Sequence, residues 1–261
     1  MTGTALVTGA SSGIGLELAK LFAADRYDLV VVARRRDRLE ALAREVTDRH
    51  GVRCEVMVAD LATTGAPASV VRRLEDAALT VDILVNDAGF GALGRFAAMD
   101  VEAARRMIQV NVTALTELTR LLLPGMLARR SGRILNVAST AGFAPGPLMA
   151  VYYATKAYGI SLSEALAEEV RGRGVTVTVL CPGPTRTEFQ SVAGMASARL
   201  FKLPGMMDAA PVARAGYRGL MAGKRMVVPG WSNRLLPMAI RFSPRGMVSR
   251  VSRFLQQRGG N

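Results

Sequence analysis

The chain is poor in residues that carry chemistry by themselves. Its 261 residues include one histidine, His50, and two cysteines, Cys54 and Cys181. A disulfide framework needs more cysteines than that, and a structural zinc needs more ligands. No metal is therefore expected, and the setting expected is reducing and cytoplasmic. Aromatic residues make up only 5% of the chain, with a single tryptophan. Without stacking platforms or a recognition motif, the formal charge of +13 does not imply nucleic acid. No apolar run approaches the roughly 18 residues that would span a bilayer. The first strand candidate begins at Thr4, so no signal peptide is expected. Acidic residues are scarce in one region only. Residues 190–261 hold 12 Lys and Arg against the single Asp208, whereas residues 1–189 hold 22 against 20.

Half of the residues are hydrophobic and 21% are charged, the balance of one globular domain spanning 1–261. Short β-branched runs at Thr4–Thr8, Asp28–Ala33, Arg53–Val58, Val81–Asn86, Arg133–Ala138, Val175–Leu180 and Arg225–Pro229 predict strands. Between them, Leu16–Ala24, Asp37–Arg49 and Glu102–Leu123 carry apolar residues at helical spacing. Runs such as Leu29–Val32 are apolar on both faces, as when helices cover both sides of a parallel sheet. The pattern predicts an α/β fold: a doubly wound, mostly parallel, seven-stranded sheet of Rossmann type with a C-terminal helical extension. Residues 190–261 are expected to supply a substrate lid, the last strand and a basic amphipathic tail. Ligands of such sheets bind beyond the carboxyl ends of the strands.

After the first strand comes Thr8-Gly9-Ala10-Ser11-Ser12-Gly13-Ile14-Gly15, leading into a helix. Glycines allow a tight turn and let backbone N–H groups reach a pyrophosphate at the helix N-terminus. Gly9 to Gly13 also fits G-x-S-x-G, the nucleophile elbow of a hydrolase. That enzyme needs a late histidine, and His50 precedes most of the sheet, so its triad cannot be completed. At the end of strand two, where an acid would grip the ribose of NAD, stand Arg34, Arg35 and Arg36. Cations there suit the 2′-phosphate of NADP, with Arg34 ahead of Arg35.

The GxxxGxG spacing and a Tyr-x-x-x-Lys element resemble the short-chain dehydrogenase/reductase family, over residues 4 to about 190. The elements that carry the resemblance are Thr8-Gly9…Gly13…Gly15, Asp60-Leu61, Asn86-Asp87-Ala88-Gly89, Asn111, Ser139, Tyr152…Lys156 and Pro182-Gly183…Thr187. The resemblance implies that Asp60, beside Leu61, touches the adenine, that Asn86, Ala88 and Gly89 lie along the ribose, and that Pro182, Gly183, Thr185 and Thr187 hold the nicotinamide end. Asp87 stands where the family more often has a second Asn. A carboxylate there would oppose the cofactor phosphates unless neighbouring backbone hydrogen-bonds it.

Val151-Tyr152-Tyr153-Ala154-Thr155-Lys156-Ala157-Tyr158 holds three tyrosines and a lysine. By helical spacing alone Lys156 can approach Tyr152 or Tyr153; the family pattern selects Tyr152 and leaves Tyr153 and Tyr158 to pocket wall or core. A phenol with pKa near 10 is a poor acid–base catalyst at neutral pH. Lowering it by about three units takes roughly 4 kcal/mol, which one cation about 4 Å away at an effective dielectric near 20 supplies. The resemblance thus implies hydride transfer between nicotinamide and a small-molecule carbonyl or alcohol. By the same resemblance Ser139 holds the oxygen, Tyr152 moves its proton, Lys156 lowers the phenol pKa while holding the nicotinamide ribose, Asn111 positions a water, and Tyr152 and Lys156 both contact the cofactor. A non-catalytic NADP(H) redox sensor acting through a protein partner is the alternative, disfavoured because a sensor needs no proton-transfer group. Apolar, Met-rich segments at Phe143–Met149 and Val192–Met207 suggest a lipophilic substrate. The helices at Glu102–Leu123 and from Tyr152 imply, by resemblance, a homodimer or homotetramer. In the tail, Leu235–Phe242 and the stripe at 247, 248, 251, 254 and 255, flanked by Arg250, Arg253 and Arg258, either pack on the domain or lie peripherally on a membrane.

Overall fold

The β-branched runs form strands because their side chains fill both faces of a sheet that is covered twice. In this computed structural model, which describes residues 3–195, 198–202 and 206–257, the strands are β1 Thr4–Thr8, β2 Asp28–Ala33, β3 Cys54–Val58, β4 Ile83–Asn86, β5 Gly132–Val137, β6 Val175–Leu180, β7 Thr185–Arg186, β8 Met207–Asp208 and β9 Met226–Val227. Seven of them form one parallel sheet in the order β3-β2-β1-β4-β5-β6-β9. The order reverses between β1 and β4, which opens a crevice at the carboxyl ends of those strands. The remaining pair, β7 and β8, bridges only itself.

The helices are α1 Gly13–Ala24, α2 Arg36–His50, α3 Ala66–Asp76, α4 Val101–Ile108, α5 Leu115–Ala128, α6 Ala150–Glu169, α7 Phe189–Val192, α8 Ala209–Met221, α9 Trp231–Phe242 and α10 Arg245–Gln256. Alternation along each strand decides which helices it meets. Val7, Val31, Val85 and Leu135 pack with Phe22 of α1, Leu39 of α2 and Val212 of α8. Their neighbours Leu6, Val30, Leu84 and Ile134 face Leu74 of α3, Leu118 of α5 and Ala167 of α6. Phe22, Leu6 and Leu118 are fully buried, each worth about 1.5–3 kcal/mol of transfer free energy.

One sequence expectation needs correcting. Glu102–Leu123 is not one continuous α-helix: α4 and α5 are joined by a π-helical turn at Gln109–Ala114, with Asn111 inside it. Hydrophobic periodicity does not reveal a single extra residue in a turn. Of the two readings of the tail, packing on the domain holds for most of its apolar stripe. Helices α9 and α10 form a roof whose Leu236, Ile240, Met247, Val248, Val251 and Leu255 line a cavity beneath. Phe254 lies off the cavity, with the Arg199 guanidinium 4.3 Å from its ring centre. Arg258, expected to flank the stripe, and residues 196, 197 and 203–205 of the expected lid, lie outside the described residues. Within that lid Met195 and Ala198 are buried with Met107, Met149 and Tyr152. Among the described residues, no helix is long and apolar enough to cross a membrane.

Candidate active site

The crevice at the strand ends widens into a cavity of about 730 Å³, within the range of small-molecule sites. Its floor is made by the turns that follow β1, β2, β3, β4, β5 and β6. Gly9 and Gly13 have positive φ, 74° and 60°, which side chains other than glycine rarely adopt. Gly15 is required for another reason: a Cβ there would lie 2.6 Å from Asp87 Oδ2 and 2.7 Å from the Gly9 carbonyl oxygen. The first turn of α1 therefore points its unpaired N–H groups at the groove. Its N-cap residue Ser12 makes no side-chain cap; the hydroxyl instead accepts from Arg35 Nη2 at 2.9 Å.

The two cations expected at the 2′-phosphate are in different states. Arg35 donates to Ser11 Oγ, to Ser12 Oγ and, at 2.6 Å, to Glu188 Oε2. Arg38 binds the other Glu188 oxygen. Hydrogen bonds from Arg35 and then Arg38 hold the Glu188 carboxyl below its usual pKa. Arg34 is exposed on the groove wall, with no hydrogen bond or ion pair to the described residues. Asp60 meets Arg106 of α4 at 3.2 Å on the same wall. The Glu188 and Arg106 partnerships escaped the sequence reading because each joins groups far apart in the chain.

Most of the expected site residues line this cavity: Gly9, Ser11, Ser12, Gly13 and Ile14, then Arg34, Arg35, Asp60, Leu61, Ala88 and Gly89, then Ser139, Tyr152, Lys156, Pro182, Gly183, Thr185 and Thr187. Gly15, Asn86 and Asn111 stand one layer behind. Asn86 donates to Thr119 Oγ1 at 3.1 Å and Asn136 Oδ1 at 2.9 Å, tying β4 to α5 and β5 rather than facing the groove. Asn111 accepts from Phe90 N and donates to Phe90 O and Thr155 Oγ1, so its side chain fixes the loop after β4 against α6.

Tyr152 and Lys156 are one helical turn apart on the buried face of α6, beside Ser139 at the end of β5. The Ser139 hydroxyl accepts from Ala141 N at 3.1 Å and donates to the Pro182 carbonyl at 3.4 Å, and it lines the same cavity wall as the Tyr152 phenol. Tyr153 is turned toward the roof, where its hydroxyl accepts from Gln256 Nε2 of α10. Tyr158 pairs with Thr116 at 2.8 Å on the surface.

The electrostatics differ from the expectation. Burial pushes the Tyr152 phenol above its ordinary pKa; the Ser139 hydroxyl works against this, and the charges of Tyr153 and Asp87 add to it. Lys156 does not lower it here, because its Nζ donates to the Val137 carbonyl at 2.8 Å and lies 5.8 Å from the Tyr152 ring centre. Burial pushes Lys156 itself down to about 8, with Asp87 and then Cys181 opposing. Asp87 is driven up to about 7 by burial, against the Lys156 charge and a hydrogen bond from the Gly15 backbone. The backbone support that a carboxylate at this position requires is therefore present, and much of its charge is suppressed near neutral pH.

A parallel sheet of this order, with a glycine turn opening onto the crevice and a phenol and an ammonium on its wall, defines a dinucleotide-dependent oxidoreductase. The chain belongs to the short-chain dehydrogenase/reductase family, whose profile, described as short chain dehydrogenase, matches residues 3–196. It is 35% identical over 217 residues to "Ketoacyl reductase HetN" of Nostoc sp. (strain PCC 7120), covering 83% of this chain and 75% of that one. Among solved structures it resembles a short-chain dehydrogenase from Sphingobium yanoikuyae in complex with NADPH, with TM-score 0.84 and 36% identity over 94% of both chains. It also resembles the bulky-bulky ketone specific alcohol dehydrogenase from Comamonas testosteroni, with TM-score 0.78 and 32% identity over 92% of both chains.

Proposed function

We propose that the protein is an NADP(H)-dependent reductase of bulky, apolar carbonyl compounds, with Tyr152 as its proton donor. The observation that carries this reading is the meeting of Ser139 and Tyr152 on a cavity wall otherwise built from Met149, Phe189, Val192, Met195, Leu236 and Ile240. Arg34 favours the phosphorylated dinucleotide, since it is the groove-wall cation left without a protein partner among the described residues. It follows β2, three strand positions from the end of β5, which at about 4.8 Å per strand places it roughly 14 Å away along the crevice. The adenosine end would thus lie by Arg34, Asp60 and Leu61, and the nicotinamide end by Pro182, Gly183, Thr185 and Thr187. When bound, the dinucleotide supplies a hydride to the carbonyl carbon.

The chain's own residues do the rest. The Ser139 hydroxyl donates to the carbonyl oxygen and fixes the face presented. The buried phenol of Tyr152 keeps its proton at neutral pH, the state required to protonate an oxygen that becomes alkoxide. Lys156, whose ammonium rests on the Val137 carbonyl at the cavity wall, would hold the ribose at the nicotinamide end. The ketone-reducing relatives, and the NADPH complex of a structural neighbour, agree with this reading. Exposed Val101 and Ile108 of α4, Leu121 of α5 and Tyr158 of α6 favour a symmetric homodimer through those helices. NADPH oxidation should be followed with water-soluble aldehydes, bulky aryl ketones and 3-oxoacyl thioesters. The reading predicts the highest kcat/KM among bulky apolar ketones; turnover confined to small polar aldehydes would refute it.

A further inference from the structure

Helix α9 is apolar on two sides. Its inner face, with Leu236 and Ile240, roofs the cavity. Its outer face carries Trp231, Leu235, Met238 and Phe242, 77%, 53%, 62% and 80% exposed. At 100° per residue these four fall within one stripe about 60° wide. Arg234 and Arg241 line one edge of that stripe, and both are exposed. On α10, Arg245, Arg250 and Arg253 are exposed too, and no Asp or Glu occurs in the sequence after Asp208. Met247 and Val251 of α10 combine exposure with a place on the cavity wall, so the cavity reaches the surface there.

We infer that the outer face of α9, with the arginines of α9 and α10, docks on an anionic lipid bilayer. An exposed apolar stripe edged by cations and free of acids has the complementarity of a negatively charged interface. A second copy of the same face would bring like charges together. The helix is 12 residues long, about 18 Å, which suits lying in the interface and is too short to cross it. Trp231, at one end, is a residue type that settles at headgroup depth, and Phe242, at the other, belongs on the apolar face of an interfacial helix. Docked this way, the molecule opens its cavity at Met247 and Val251 toward the lipid. The use of this arrangement rests on the apolar substrate proposed above: such a substrate is concentrated in the bilayer and enters without crossing water.

Trp231 is the chain's single tryptophan, so its fluorescence reports on this face directly. Full-length protein should be titrated with vesicles of phosphatidylcholine alone and with phosphatidylglycerol added, at low and physiological salt. The emission should shift to the blue on anionic vesicles only, less so at higher salt, and should be quenched by lipids brominated near the headgroup. Met238→Gln with Phe242→Gln should weaken partitioning at least tenfold while leaving reduction of a water-soluble ketone unchanged, since neither residue lines the cavity. Unchanged emission on anionic vesicles overturns the inference. So does a double variant that partitions like the parent. A blue shift that grows with protein concentration without lipid, together with a doubled mass in light scattering, assigns the face to a second copy instead. Loss of docking with ketone reduction intact removes this inference alone, whereas docking without reduction of any ketone removes the proposed substrate.

Discussion

The floor of the cavity and its roof are built by different means. The floor consists of turns that follow parallel strands, held by backbone hydrogen bonds and by glycines whose replacement would collide with main chain. The roof, α9 and α10, is held by apolar side chains and by a few hydrogen bonds, among them Gln256 to Tyr153 and Asn233 to the Pro229 carbonyl. The floor belongs to a segment nearly neutral in charge, whereas residues 190–261 carry a net charge of +11. The contrast teaches that the part handling a fixed cofactor is specified by backbone geometry. The part meeting a variable substrate is specified by side-chain volume and surface charge.

The largest effect expected on this division lies where floor and roof meet. Tyr152→Phe keeps the ring in its cluster but removes the proton, and should lower kcat by about 10²–10⁴-fold with NADPH affinity retained. Tyr153→Phe should keep kcat within a few fold. A reversal of the two in steady-state kinetics would put the proton on the roof's tyrosine.

Next comes the far end of the floor. Arg34→Ala should lose about 1.5–3 kcal/mol of NADPH binding, roughly 10–150-fold, with NADH almost unaffected. Fluorescence titration of both dinucleotides checks it. Equal losses for the two would mean that Arg34 does not read the phosphate.

A smaller effect should appear in the pH profile. Lys156 loses its charge as pH rises through about 8, and Asp87 is the first influence holding that value up. Asp87→Asn should therefore move the alkaline fall of kcat/KM to lower pH. A midpoint that stays in place or rises would separate Asp87 from the proton chemistry.

The smallest effect belongs to the roof itself. Val251→Ala should change KM for bulky ketones by a few fold while leaving the NADPH dissociation constant alone, as competition and direct titration would show. A matching change in cofactor affinity would erase the distinction between the two regions.

The same division explains what was legible in the sequence. Strands and glycine turns announce themselves locally, through β-branched alternation and positions that need positive φ, so the sheet and most groove residues are found in place. The family pattern brings Ser139, Tyr152 and Lys156 to one wall. Features set by neighbours distant in sequence are not announced. Asn86 is drawn into the core by Asn136 and Thr119, Glu188 reaches Arg35 and Arg38 across about 150 residues, and Lys156 turns to the Val137 carbonyl. The direction of the Tyr152 shift follows from burial by Met149 and the neighbouring aromatics, which spacing does not encode. The tail's periodicity shows an amphipathic pattern; which residues meet the cavity depends on packing.

The π-helical turn at Gln109–Ala114 acts as a phase adjuster. A rod wound uniformly from Val101 to Ala128 would carry one angular frame throughout, but its two halves answer to different neighbours. Met107 must enter the cluster around Tyr152, while Leu118 and Met126 must face the sheet. Taking up one extra residue offsets the second half by about 100° relative to uniform winding. Both sets of side chains then point inward along a single axis, and the asparagine at the slip, Asn111, is held where the two frames meet.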